Sequence, residues 1–425
     1  MKKILFCKNL KIYFLFFLSF IFAYLSLWII PAKSIHNDIL FLNSINFLFI
    51  FLIVVFSSLI YLVFSKRMRI YNKNIIVPKN LNKNIIFLTY SPIVGFFFML
   101  YDRIYLRGID YSSGLRAARY TWLDTTGGSF FGISGNLLVS FSYLGILFLV
   151  LYNRHISFYK KWLLIFGILF GVLGHAILNG GRSNLLLAFV MLLIAFLLKN
   201  NHKSINNKNI INFNNFIYFT IFIFLIIYIF YIIQSSANLG NSDLKNLFEL
   251  GVSAMYGEVN KDFHAKDYSN LYILIVYSLA YLYHGQWTAQ VSSTLTNLDG
   301  NYTFSSAITY MLEKYRIITP LGEKYFSDTG AFISLPGAFY YDYGYLGVVL
   351  LSILLGIMLG IVFIFLNSSK IGTFKMMYII FVLYVIFMSP ILPAYGLSYF
   401  NFIILSFILL YLVNIIFYKS RIIYI

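Results

Sequence analysis

The sequence predicts an all-α, polytopic integral membrane protein, and two observations carry that prediction. Of 425 residues, 60% are hydrophobic and only 11% are charged, against about a quarter charged in soluble domains. Ten separate runs are apolar over roughly the length that spans a bilayer as a helix. The one cysteine, Cys7, rules out both a disulfide framework and a Cys-based metal site within one chain.

The runs follow in order. The first, 12–31, comes after Lys2, Lys3, Lys8 and Lys11 and has no small-residue cleavage site, so it reads as a retained span. Next come 39–64, 84–102, 131–151, 162–178, 183–198, 216–233, 345–366, 376–393 and 399–418. Residues 271–283 are apolar but short and aromatic-rich, and His284, Gly285, Gln286 and Gln290 interrupt them. That pattern suits a helix lying at the membrane interface. The alternative adds spans at 271–283 and near 331–343, twelve in all. With no internal repeat and no soluble domain, 1–425 reads as one transmembrane domain.

Lysine and arginine prefer cytoplasmic loops. With both termini inside, the inner segments carry 20 of the 32 basic residues, and all 14 acidic residues fall on the outer side or at an outer helix end. The inner loops are short and rich in Lys and Asn, which suits anchoring against anionic lipid. The net charge of +18 belongs partly to those loops. No basic domain with interleaved aromatics exists, so no nucleic-acid partner is expected.

Two outer segments are sizeable, 103–130 and 234–344. The first, "DRIYLRGIDYSSGLRAARYTWLDTTGG", holds Arg103, Arg107, Arg116 and Arg119 and no lysine. Six of the ten arginines lie outside, against the usual bias. A guanidinium offers a planar fork for phosphate or carboxylate. Ion pairing with Asp102, Asp110 and Asp124 is the plainer use, yet four arginines exceed three carboxylates. Arg182 stands in "LNGGRSNLLLAF", where Gly180 and Gly181 precede a span opening at Ser183 and Asn184. Helix N-termini favour anions. An arginine there opposes the dipole unless an anion sits between the two; the alternative is a snorkelling anchor.

In the long outer segment, Leu244, Leu247, Phe248, Val252 and Met255 fall on one face of a helical pattern. His284 is a candidate acid or base, although a lone histidine also serves as a plain hydrogen-bonding group. His264 competes with it, near Glu258, Asp262 and Asp267; no metal-ligand spacing stands out. Asn301-Tyr302-Thr303 matches a glycosylation acceptor pattern. Asp342 lies just before the span 345–366, among Tyr340, Tyr341, Tyr343 and Tyr345. Tyrosines form interfacial belts, and beside a carboxylate they also suit a sugar.

Taken in order, the Gly-Gly-Arg-Ser turn, "YLYHGQWTA" and "GAFYYDYGYLGVVLLSILLGIMLG" resemble the Wzy-type O-antigen and capsular oligosaccharide repeat-unit polymerases of bacteria. Arg103 with Gly114, and Arg116 with Gly127, fit an arginine-then-glycine spacing of that family; its histidine-then-glycine spacing is absent after His264 and His284. The resemblance implies a glycosyltransferase in the bacterial cytoplasmic (inner) membrane. Its substrate would be an undecaprenyl-diphosphate-linked oligosaccharide on the outer face, its surroundings membrane lipid, and its partner a chain-length regulator. The donor bond is already activated, so no cofactor is expected. Arg182 would grip the diphosphate, assisted by Arg103, Arg107, Arg116 and Arg119. Asp342, His284 or Glu258 would take the acceptor proton, with Tyr341, Tyr343 and Trp287 against sugar. An O-antigen ligase uses the same donor and is the nearest alternative. A flippase or transporter would leave repeats and midplane charge.

Overall fold

The computed structural model describes residues 2–65, 80–112, 118, 121, 129–179, 183–202, 241–266, 268–294, 333–367 and 371–418. The expected span 216–233, the arginines Arg116, Arg119 and Arg182, and Asn301 lie outside them. The described residues are overwhelmingly helical. Among the described residues, seven helical stretches are long and apolar enough to cross a membrane: Leu10–Ile29, Ile39–Phe64, Leu81–Leu106, Phe130–Leu151, Phe158–Leu178, Leu335–Leu366 and Tyr399–Ile416. These are the helices of a multi-pass membrane protein. Three more, Asn184–Lys199, Asn270–Tyr283 and Thr373–Met388, are apolar but shorter.

The chain forms two compact units. One holds Met1–Met68, Ile232–Ile364 and Val382–Ser398. Here α1 (Lys2–Ile29) and α2 (Ile39–Ser65) are joined by a short strand, β1 (Ala32–Ser34). This pairs antiparallel with β2 (Gly257–Val259), Lys33 opposite Glu258. Helix α3 (Asn241–Ala254) presents most of the amphipathic face that the sequence predicts, with Leu247 only partly buried. Leu244, Phe248, Val252 and Met255 are buried in one cluster with Ile273 and Val276 of α4 (Asn270–Tyr283) and with Trp287. Trp287 belongs to α5 (Gly285–Val291).

The last long helix of this unit, α6 (Leu335–Leu366), starts ten residues before the expected span at 345. The reason is local. Ser334 caps it, its Oγ accepting from Gly337 N–H at 3.4 Å and its carbonyl from Ala338 N–H at 2.8 Å. Pro336 falls in the first turn, where its missing N–H costs no hydrogen bond. Gly344, at φ 63° and ψ −159°, then kinks the helix. Residues 335–343 are therefore helix, not the end of a loop, and Asp342 lies inside α6.

The second unit holds Arg69–Tyr231, Phe365–Phe381 and Tyr399–Ile425. Its core is α7 (Leu81–Tyr101), α8 (Phe130–Val139), α9 (Phe141–Leu151), α10 (Phe158–Asn179) and α11 (Ser183–His202). Gly167, Gly171 and Gly174 of α10 face Thr89, Pro92 and Phe96 of α7 so closely that a methyl group at any of them would collide. The short helix α12 (Thr373–Met388) contributes to both units, and α13 (Ser398–Tyr418) closes the described chain. The expected span 376–393 stops at Met388 because Pro390 and Pro393 follow; residues before proline avoid the α region.

Candidate functional site

In the second unit the helix that begins at Leu81 does not end at Tyr101. Beyond Tyr101 the chain continues as a π-helical turn, Asp102–Leu106. Such turns recur at functional sites. The wider turn places residues five apart on one face. Arg107 N–H donates to the Asp102 carbonyl at 3.1 Å, and Arg107 Nε to Asp102 Oδ2 at 3.0 Å. Gly108 takes a left-handed conformation at φ 63°, and Ile109 N–H closes back on the Arg103 carbonyl at 3.0 Å.

Asp102 and Arg103 are almost wholly buried, at 1% and 2% exposure. Asp102 also accepts from Ser129 Oγ, and that same oxygen caps α8 by accepting from Gly132 N–H at 2.9 Å. Arg107 pairs with this carboxylate and Arg103 feels it electrostatically, so these three side chains carry a local charge of +1 at the end of a span-length helix. Arg103 lies within electrostatic reach of Tyr111, Tyr399 and His175. Tyr111 Oη donates to the Leu178 carbonyl at 2.8 Å, which fastens the segment after the π turn to the end of α10.

His175 is fully buried. Its Nε2 meets Asn136 Oδ1 at 3.0 Å, and its ring stands edge-on to Tyr399, centroids 4.2 Å apart. Asn184, in the first turn of α11, is buried too; its backbone carbonyl accepts from Tyr143 Oη at 3.3 Å. Among the described residues, His175 Nδ1, both side-chain polar atoms of Asn184 and Ser142 Oγ find no hydrogen-bond partner. Buried polar atoms left open need an explanation, and water or a ligand is the usual one. His175, Asn136 and Tyr399 stand inside apolar runs with nothing local to mark them, and Asn184 figures in the sequence only as the start of a span.

In the other unit, Asp342 is fully buried. Its carboxylate acts on Tyr395, whose hydroxyl is pushed above its ordinary value first by removal from water and then by Asp342 and Tyr343. Tyr343 is half-buried. Tyr341 and Trp287, at 3% and 2% exposure, are core side chains with no open ring face. Gly257 packs on Trp287 so closely that a methyl group would collide with the indole.

His284 joins α4 to α5 and is 2% exposed. Its Nδ1 donates to the Tyr281 carbonyl at 2.7 Å, and burial lowers its pKa to about 4. It is neutral at pH 7. Next to it, Gln286 accepts from Asn46 Nδ2 at 2.9 Å and donates to the Pro390 carbonyl at 2.5 Å, so the stretch ties α2 to the end of α12. Glu258 is exposed on the β ribbon, 3.9 Å from Lys33 Nζ. His264 falls in the short helix Asp262–Ala265. Among the described residues no three His, Cys, Asp or Glu side chains gather to hold a metal ion.

Two arrangements follow. One is a buried, positively charged cluster around Arg103 and His175. The other is a buried carboxylate with tyrosines, Asp342, Tyr343 and Tyr395. No family model, curated protein or solved structure matches this chain.

Proposed function

We propose that the protein is a membrane glycosyltransferase that polymerises undecaprenyl-diphosphate-linked oligosaccharide repeat units on the outer face of the bacterial cytoplasmic membrane. A hydroxyl of one lipid-linked unit attacks the anomeric carbon of the growing chain, and undecaprenyl diphosphate leaves. The barrier rises with the negative charge that gathers on the leaving oxygen. Preorganised cations in a site shielded from water lower it.

One observation supports this reading above the others. At the end of a helix of membrane-spanning length Arg107 pairs with Asp102, and the buried guanidinium of Arg103 stands within electrostatic reach of the same carboxylate. A guanidinium keeps its charge when desolvated and binds phosphate oxygens in pairs. The resemblance of the Gly180-Gly181-Arg182-Ser183 turn adds a further arginine to the same role. Asn184, two residues after Arg182, brings unsatisfied donor and acceptor atoms to the start of α11.

Deletion of the gene followed by gel analysis of surface polysaccharide tests the proposal. A polymerase mutant leaves single capped repeats. A mutant with none attached marks a ligase instead, and units trapped on the inner face mark a flippase; either result contradicts polymerisation. Complementation with Arg103→Ala made at normal level should not restore the ladder.

A further inference from the structure

We propose that His175 is the general base of the reaction, with its Nδ1 accepting the proton of the attacking sugar hydroxyl; this rests on the polymerase reading above. The tautomer follows from the hydrogen bonds. Asn136 Nδ2 donates to the Gly132 carbonyl at 2.7 Å, so its Oδ1 is the atom that faces His175 Nε2 at 3.0 Å. Oδ1 only accepts, so Nε2 carries the ring proton. The lone pair is left on Nδ1. That nitrogen is fully buried and meets no partner among the described residues.

A histidine that only braced the bundle would satisfy both nitrogens, because an open buried acceptor costs about 1–3 kcal/mol. Here the ring is held from two sides, by Asn136 at Nε2 and by the edge-on Tyr399, while the basic nitrogen stays open. Arg103 acts on the same ring. A diphosphate on Arg103 would therefore lie beside the base, and its negative charge offsets the cost of forming an imidazolium near a guanidinium.

The step balances as written. The hydroxyl oxygen bonds to the anomeric carbon, and the bond from that carbon to the diphosphate oxygen breaks with its electron pair going to the phosphate. The hydroxyl proton goes to His175 Nδ1 and passes to water once the product has left.

The test uses full-length protein in liposomes, with lipid-linked repeat units as substrate and farnesyl diphosphate as a binding probe. In His175→Gln the side-chain amide still donates to Asn136 Oδ1, but no basic nitrogen remains. We expect kcat to fall by about a hundredfold to ten-thousandfold while the probe binds as it does to the unaltered chain. A His175→Gln rate within threefold of normal overturns the assignment alone. Loss of probe binding together with rate assigns His175 to packing and also overturns it. If the unaltered chain makes no polymer from lipid-linked units, the polymerase reading falls, and the base with it.

Discussion

Two histidines buried among the described residues, His284 and His175, teach opposite lessons. His284 sits between α4 and α5 with Nδ1 donating to the Tyr281 carbonyl, and burial holds its pKa near 4. Its neighbours Gly285 and Gln286 bind two other parts of the chain together. His175 is equally buried, yet its basic nitrogen is open and its neighbours are Arg103, Asn136 and a tyrosine ring edge. Burial alone therefore does not mark a working residue. What separates the two is whether the polar atoms are used up by the fold.

That contrast can be broken at several points. The largest expected effect is at Arg103. Arg103→Ala should cut polymerisation by about a hundredfold to a thousandfold, the loss typical of one preorganised contact to developing charge. Arg103→Lys should retain part of the rate, because a point charge replaces the bidentate fork. Initial rates with purified protein check both.

Next is Asp102. Asp102→Ala leaves the partly buried Arg107 without its carboxylate and removes the acceptor for Ser129. Removing one partner of a buried pair costs about 3–5 kcal/mol. Thermal unfolding in detergent should show a midpoint well below that of the unaltered chain; an unchanged midpoint would mean that the ion pair does not hold the π turn.

A smaller effect is expected at Gly285. Its Cα lies against the Ile391 carbonyl, so Gly285→Ala forces backbone apart. Overpacking of this kind costs about 1–3 kcal/mol, read in the same unfolding experiment, with little change in rate for folded protein.

His284 makes the pH dependence explicit. Its folded pKa is below the unfolded value of about 6.5, near 4. Between those values the unfolded chain binds the proton and the folded chain does not, so stability falls as pH drops through this window. His284→Gln should flatten that part of the stability profile and leave the polymerisation rate within a few-fold of normal. Glu258 should matter least. It forms an exposed pair with Lys33, and Glu258→Gln should shift stability by under about 1 kcal/mol with no change in rate.

Parts of this arrangement are written openly in the sequence. The apolar runs and the face carrying Leu244, Phe248 and Val252 of α3, with Met255 just after it, are local patterns that burial later uses. Ser334-Leu335-Pro336-Gly337 also carries a helix-start signal that puts Asp342 inside α6, but the tyrosines around Asp342 read as an interfacial belt and mask it. Arg103 reads as loop because charged residues end apolar runs, while the π turn that buries it depends on the Asp102–Arg107 pair. His175 gives no local signal at all. It stands inside an apolar run, and the side chains that define it, Asn136 and Tyr399, come from distant helices.

The most direct measurement compares, in one liposome assay, undecaprenyl diphosphate release and polymer length for the unaltered chain, Arg103→Ala and His284→Gln. We expect the unaltered chain and His284→Gln to give the same ladder with release in step, and Arg103→Ala, folded and at equal protein, to give neither. A full ladder from Arg103→Ala, or its loss in a folded His284→Gln, would contradict the assignment of the chemistry to the Arg103–His175 cluster.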